Sequence, residues 1–130
     1  MKEKNKEKRQ AKMKIIPDTN LLIYLAKYKL LDELEHYDIV IVQQIIDELN
    51  KIIKAKKSKV EDRTSAVIAL DFLKFKKFKL EKQKGKADDA IVSLSKKLNI
   101  AIATMDKEMT SKAKKANIEV IKLRQKKYLK

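Results

Sequence analysis

Apolar positions fall into two kinds of block along the chain. Residues 13–17 (MKIIP), 38–42 (DIVIV), 100–104 (IAIAT) and 118–123 (IEVIKL) are short, apolar and rich in β-branched residues. That is the pattern of strands buried on both faces. Between them the apolar positions recur at helical spacing. Residues 20–28 (NLLIYLAKY) predict a helix, followed by a helical turn through LDELEHY. Ile45, Ile46, Leu49, Ile52 and Ile53 form a stripe over 43–55, and a further helix is expected over about 60–75. FKL at 78–80 is a possible short strand. Ala87, Ala90, Ile91, Leu94 and Leu98 make another stripe, and 107–116 predicts the last helix. Pro17 holds Ile16 extended and ends the first strand. Strand alternating with helix from end to end predicts an α/β fold, with a mainly parallel sheet covered on both faces.

Composition narrows the chemistry. There is no Cys, which excludes disulfides, thiolate metal sites and a Cys nucleophile. The single His36, in a polar ELEHYD turn without a Ser or Cys partner, is expected at the surface or in packing. The one glycine, Gly85, leaves no phosphate-cradling glycine loop, so a nucleotide-binding motif is excluded. The aromatic residues Tyr24, Tyr28, Phe72, Phe75 and Phe78 are spaced for core packing. Residues 1–14 hold no apolar stretch resembling a secretory signal, and no run approaches the roughly 20 residues of a membrane span. A soluble, cytoplasmic protein is expected, with one domain over 13–130 and a basic, disordered arm over 1–12.

The net charge is +15, from 33 basic and 18 acidic side chains in 130 residues. Residues 1–14 carry +5, 15–50 carry −5, 51–86 carry +9 and 87–130 carry +6. Such a surface attracts polyanions, nucleic acid above all. Lys56, Lys57, Lys76, Lys77, Lys126 and Lys127 are the expected phosphate contacts.

The acidic residues are the informative minority. In an open parallel sheet the functional site lies at the carboxyl ends of the strands. Asp18 directly follows the first strand, and Asp106 follows the 100–104 strand. Asp88 and Asp89 open the 87–98 helix, and Glu48 sits on the helix leaving the 38–42 strand. At about 100° per residue, Glu48 borders the buried stripe of its helix, whereas Asp47 lies roughly 155° away and faces solvent. Asp88 borders its stripe more closely than Asp89, and both are kept. Each acid also has a plain structural role open to it, as an N-cap for Asp18 and Asp106 or a dipole partner for Asp88 and Asp89. Gathered in one cleft they would repel unless a cation neutralised them. Oxygen-only donors suit Mg²⁺ or Mn²⁺, whose usual work on phosphodiesters is to activate water and neutralise the phosphate.

In order, PDTN (17–20), IIDEL (45–49), KADDAIV (86–92) and TMD (104–106) resemble the motifs of the PIN-domain ribonucleases, from about Lys14 to the C-terminus. The resemblance implies a three-layer α/β/α sandwich, with Asp18, Glu48, Asp88 or Asp89 or both, and Asp106 as metal-binding acids. Thr19, Asn20 and Thr104 stand where the family places supporting polar groups. It further implies Mg²⁺- or Mn²⁺-dependent endonucleolytic cleavage of single-stranded or looped RNA, leaving a 5′-phosphate, and self-association into dimers. Two branches compete. The C-terminal stretch and the ADD pair resemble the branch that matures small-subunit ribosomal RNA, which would make pre-rRNA or a preribosome the partner. The compact size resembles VapC-type toxins, which would add a protein antitoxin. Outside the nuclease class stand a non-catalytic RNA-binding ribosome-assembly factor and a Lys-rich DNA-binding structural protein, the latter leaving the clustered acids unexplained.

Overall fold

Five strands form one sheet: β1 (Met13–Pro17), β2 (Tyr37–Val42), β3 (Lys79–Glu81), β4 (Ala101–Ala103) and β5 (Val120–Ile121), in the order β3-β2-β1-β4-β5. The computed structural model describes residues 12–130, so residues 1–11 of the expected basic arm lie outside the described part. Every pairing within the sheet is parallel. Ile15 of β1 stands opposite Ile39 on one side and Ala101 on the other. Ile15, Ile16, Ile41 and Ile102 are wholly buried, as near-continuous β-branched runs require of a sheet covered on both faces.

The helices are α1 (Thr19–Lys27), α2 (Gln43–Lys54), α3 (Val60–Lys76), α4 (Ala87–Leu98) and α5 (Lys107–Lys115), and a 3₁₀ helix spans Leu31–His36. The right-handed crossover rule fixes the layers. β1 to β2 to β3 runs one way across the sheet and carries α1, α2 and α3, which pack together on one face. The chain then passes back over β1 to β4 and β5, so α4 and α5 cover the other face. The strand order reverses beside β1, which makes the β1/β4 junction the switch point where such folds bind ligands. No helix among the described residues is long and apolar enough to cross a membrane.

Two expectations are corrected. The run 118–123 is not one strand: β5 ends at Ile121, and the chain turns into an antiparallel hairpin of β6 (Leu123–Arg124) and β7 (Tyr128–Leu129). Lys122 leaves the sheet because its backbone pairs with Lys130 in both directions, each bond 2.9 Å. The hairpin is fastened at Leu129, only 2% exposed. The Tyr37 hydroxyl donates to its carbonyl at 2.6 Å, and its amide donates to the Glu33 carboxylate at 3.0 Å. Tyr37→Phe should therefore cost about 1 kcal/mol. Denaturant midpoints would measure the loss, and faster amide exchange at Leu129 would localise it.

The aromatic residues are not all core. Phe75 is 91% exposed, and Tyr28 also lies at the surface. On α3, Ala66, Ala69, Leu70 and Leu73 are buried, while Val60, Val67, Ile68 and Phe75 are exposed. That helix carries two apolar stripes, of which the fold covers one.

Candidate active site at the sheet switch point

Asp18 is the first residue beyond β1. Its amide donates to the Ala103 carbonyl at 3.1 Å, which ties the β1 exit to β4. It caps α1, one carboxylate oxygen accepting from the Leu21 amide at 2.9 Å. The other oxygen accepts from the Thr104 hydroxyl. Thr104 in turn accepts from the Asp106 amide at 3.0 Å, and Asp106 caps α5 by accepting from the Glu108 amide at 3.0 Å. Both aspartates are thus helix caps and cleft residues at once. A cap uses one lone pair and leaves others of the carboxylate free.

Glu48 projects from α2 toward the same place and accepts from the Thr19 hydroxyl. Asp88 reaches in from the start of α4. Asp18, Thr19, Asn20, Glu48, Asp88 and Asp106 all line one cleft of about 400 Å³. Carboxylate oxygens of Asp88, Asp106 and Glu108 lie within 4.8 Å of one another. Asp89 points away and meets Lys112 at 4.0 Å. Four acids from four separate segments therefore share one cleft, and the fifth sits outside it.

The electrostatics are those of a crowded anionic site. Burial is the main cause pushing the Asp18 carboxyl above its ordinary value, and the charges of Asp106 and Asp88 add to it. The hydrogen bonds from Thr104 and the Leu21 amide pull it down without reversing the shift. All the carboxylate donors are oxygen, as a hard divalent cation prefers. Like charges held this close are what such a cation would neutralise. The residues present fit Mg²⁺ or Mn²⁺, with Asp18, Glu48, Asp88 and Asp106 as the set that would hold it.

The lysines divide by position. Lys56, Lys57, Lys77, Lys126 and Lys127 are exposed. Lys76 is mostly covered and pairs with Glu35 at 2.7 Å, holding that carboxyl below its usual range. Lys51 lines the acidic cleft and is its one basic side chain among the described residues. It is not among the site residues expected from the sequence, although its i+3 spacing puts it on one helix face with Glu48. Gln44 was also missed. Its side-chain amide donates to the carbonyls of Gln83 at 2.7 Å and Gly85 at 2.8 Å. That bond ties α2 to the turn before α4, where Gly85 takes a φ of +94°, a conformation glycine adopts freely. Gln44 thereby braces the turn that leads into Asp88. Glu108, two residues past Asp106, is the third omission.

The parallel sheet of order 3-2-1-4-5, with acids gathered at its switch point, agrees with the PIN-domain resemblance. The model of the family described as a PIN like domain matches residues 15–126, and the chain belongs to that family. Ribonuclease VapC4 of Methanocaldococcus jannaschii is 37% identical over 124 residues, which cover 88% of this chain and 93% of that protein. Solved structures share the fold at low identity. A domain of a functionally unknown protein from M. jannaschii aligns with a TM-score of 0.62 and 20% identity, over 83% of this chain and 89% of that one. A protein from Pyrobaculum aerophilum aligns with a TM-score of 0.60 and 15% identity, over 83% of each chain.

Proposed function

We propose that the chain is a metal-dependent endoribonuclease using Mg²⁺ or Mn²⁺. Asp18, Glu48, Asp88 and Asp106 are the cation-holding acids. The observation that carries this reading is the convergence of those four carboxylates in one cleft, beside a single lysine. The relationship to Ribonuclease VapC4 supports the ribonuclease class. When bound, the cation supplies charge neutralisation at the phosphodiester and a lowered pKa for water. The chain's own groups do the positioning. Thr104 orients Asp18 and receives the Asp106 amide, Thr19 orients Glu48, and Asn20 offers an amide to the substrate. Lys51 steadies negative charge on the phosphate, and exposed lysines such as Lys56, Lys57 and Lys127 draw in the backbone. Asp89 stands outside this set, and Lys76 is taken by Glu35. Single-stranded or looped RNA is the substrate, because its backbone can be drawn into a cleft.

For the cellular role, the VapC4 relationship favours a toxin-type ribonuclease of the cytoplasm, with an antitoxin protein as partner and self-association as on the family pattern. Maturation of small-subunit rRNA is the second reading, favoured by the basic C-terminal stretch. Residues 13–130 are the nuclease unit in either case, with 1–12 a basic tether. The test is cleavage of end-labelled RNA with Mn²⁺ or Mg²⁺ against EDTA, using tRNA, mRNA and pre-rRNA fragments. Cuts that need metal and leave 5′-phosphates are expected. Asp88→Asn should reduce them by at least roughly 10²-fold, whereas Asp89→Asn should stay within a few-fold of the parent. Binding without turnover under both metals would instead favour the assembly-factor reading. Growth arrest on expression, relieved by Asp88→Asn, would separate the toxin from the rRNA-processing role.

A further inference from the structure

We propose that a lysine-rich pocket beside the acidic cleft, walled by Lys107, Lys122 and Lys126, is a subsite for one ribonucleotide flanking the scissile bond, its phosphate held by the lysines and its sugar and base lying on Met105 and Leu123. This deepens the nuclease reading and rests on it for the direction of the RNA strand.

The pocket measures about 330 Å³, and no carboxylate is among the residues that line it. The three lysines come from three separate places: the first residue of α5, the link after β5, and the turn of the C-terminal hairpin. None has a carboxylate within 4.0 Å among the described residues. Three cations gathered without an anion repel one another unless something negative is brought to them. Met105 is 43% exposed at the rim, an apolar surface next to the charges. Phosphate, sugar and base together match that mixture of cationic and apolar walls.

Position ties the pocket to the cleft. Thr104 lines the pocket, and its hydroxyl is the one bonded to Asp18 and to the Asp106 amide. Asp106 and Lys107 are consecutive, with Cα atoms about 3.8 Å apart. A strand whose phosphate reaches the acids would therefore carry its neighbour past Lys107.

The hairpin supplies an independent observation. Its turn, 124–127, closes through the Lys127 amide donating to the Arg124 carbonyl at 2.9 Å. Both central residues have left-handed backbones, Gln125 at φ 52° and Lys126 at φ 58°. A turn with two positive φ values favours Asn followed by Gly. A lysine at the second of these positions is an uncommon choice, though Lys29 and Lys77 share its left-handed backbone, and here it sets a long cation at the apex of the turn. The strands beneath are fixed by the Lys122–Lys130 backbone pair and the buried Leu129. Lys126 is thus presented toward the pocket by a fastened turn rather than a loose tail.

The test uses the full chain and a fluorescent single-stranded oligoribonucleotide, read by anisotropy in EDTA over a salt series. The triple variant Lys107→Gln/Lys122→Gln/Lys126→Gln should bind about tenfold more weakly. Its salt dependence should fall by about 0.7 in slope, the value for one phosphate released from a single strand. A charge-matched control, Lys74→Gln/Lys97→Gln/Lys115→Gln, should lose much less. Lys126→Gly alone should raise the thermal midpoint yet weaken RNA binding, opposite signs that a purely structural lysine would not give. In metal, the triple variant should raise KM for long RNA roughly tenfold with kcat within about twofold. Equal losses in the control, unchanged RNA affinity, or loss confined to an acidic protein partner would each overturn the subsite. If the parent binds RNA but never cuts it, the nuclease reading fails while the anisotropy result still judges the pocket. Should the triple variant unfold, the three single variants read the same slope.

Discussion

Asp18→Asn is expected to abolish cleavage and, in the same molecule, to raise the thermal midpoint of the metal-free protein. Asparagine caps a helix as well as aspartate does, so the bond to the Leu21 amide can survive the exchange. What disappears is a buried charge. Burial, with Asp106 and Asp88 nearby, holds the Asp18 carboxyl above its ordinary value of 3.8. Because the folded value is raised, the native state binds the extra proton. The stability that this proton confers is fully present below the unfolded value and is lost as pH rises through the folded one. Near neutrality the whole penalty is in force, so the gain from asparagine should be largest there. It should vanish as pH falls below about 3.9. Thermal scans in EDTA at several pH values measure this. Mn²⁺ should reverse the ranking, since an ion that binds only the folded parent stabilises it by mass action. Cleavage should fall by at least roughly 10²–10³-fold, the scale of losing one preorganised charge-stabilising group. An Asp18→Asn protein that cuts at the parental rate would sink the assignment of the site.

Thr104→Val should damage the site from beneath. Thr104 is 1% exposed, and its hydroxyl donates to Asp18 and accepts from the Asp106 amide. Valine has the same shape and neither capacity, leaving a buried carboxylate short of a donor and an amide short of an acceptor. A hydrogen bond to a charged group contributes about 1.5–3 kcal/mol, so a stability loss of about 2 kcal/mol is expected. Metal affinity should drop by roughly 10–100-fold, as it does when groups orienting metal ligands are removed. Titration calorimetry with Mn²⁺ gives the affinity, and the metal concentration needed for half-maximal cleavage should rise in step. Thr104→Ser keeps the hydroxyl and should restore most of both. Equal metal affinity in the valine and parent proteins would show that Thr104 only packs.

Much of this architecture was legible in the sequence because buried strands and amphipathic helices leave different periods. β1, β2 and β4 were marked by β-branched or alanine runs, and their exits pointed to Asp18 and Asp106. The choice between Asp88 and Asp89 was not legible. It depends on how the first turn of α4 is seated, just after the Gly85 turn that Gln44 holds from 41 residues earlier in the chain. Periodicity also could not say which apolar stripe of α3 the fold would cover, so Phe75 was misjudged. The C-terminal hairpin was hidden for a third reason. Its turn uses Gln125 and Lys126 in left-handed conformations, without the Asn-Gly pair that announces such a turn. Lys51 lay in plain view at helical spacing from Glu48; it is exposed, yet it lines the acidic cleft.

The strand order has a consequence for the nascent chain. β1 is made early but sits between β2 and β4, so its second neighbour arrives only after about a hundred residues have been synthesised. The four acids span residues 18 to 106, and Asp88 and Asp106 join Asp18 and Glu48 only when that late strand docks. Long-range parallel pairing forms slowly because the intervening loop must close first. A half-made or locally opened molecule therefore has no assembled centre to release against the RNA of its own host. Turnover by this protein would report that the sheet had closed on both sides of its oldest strand.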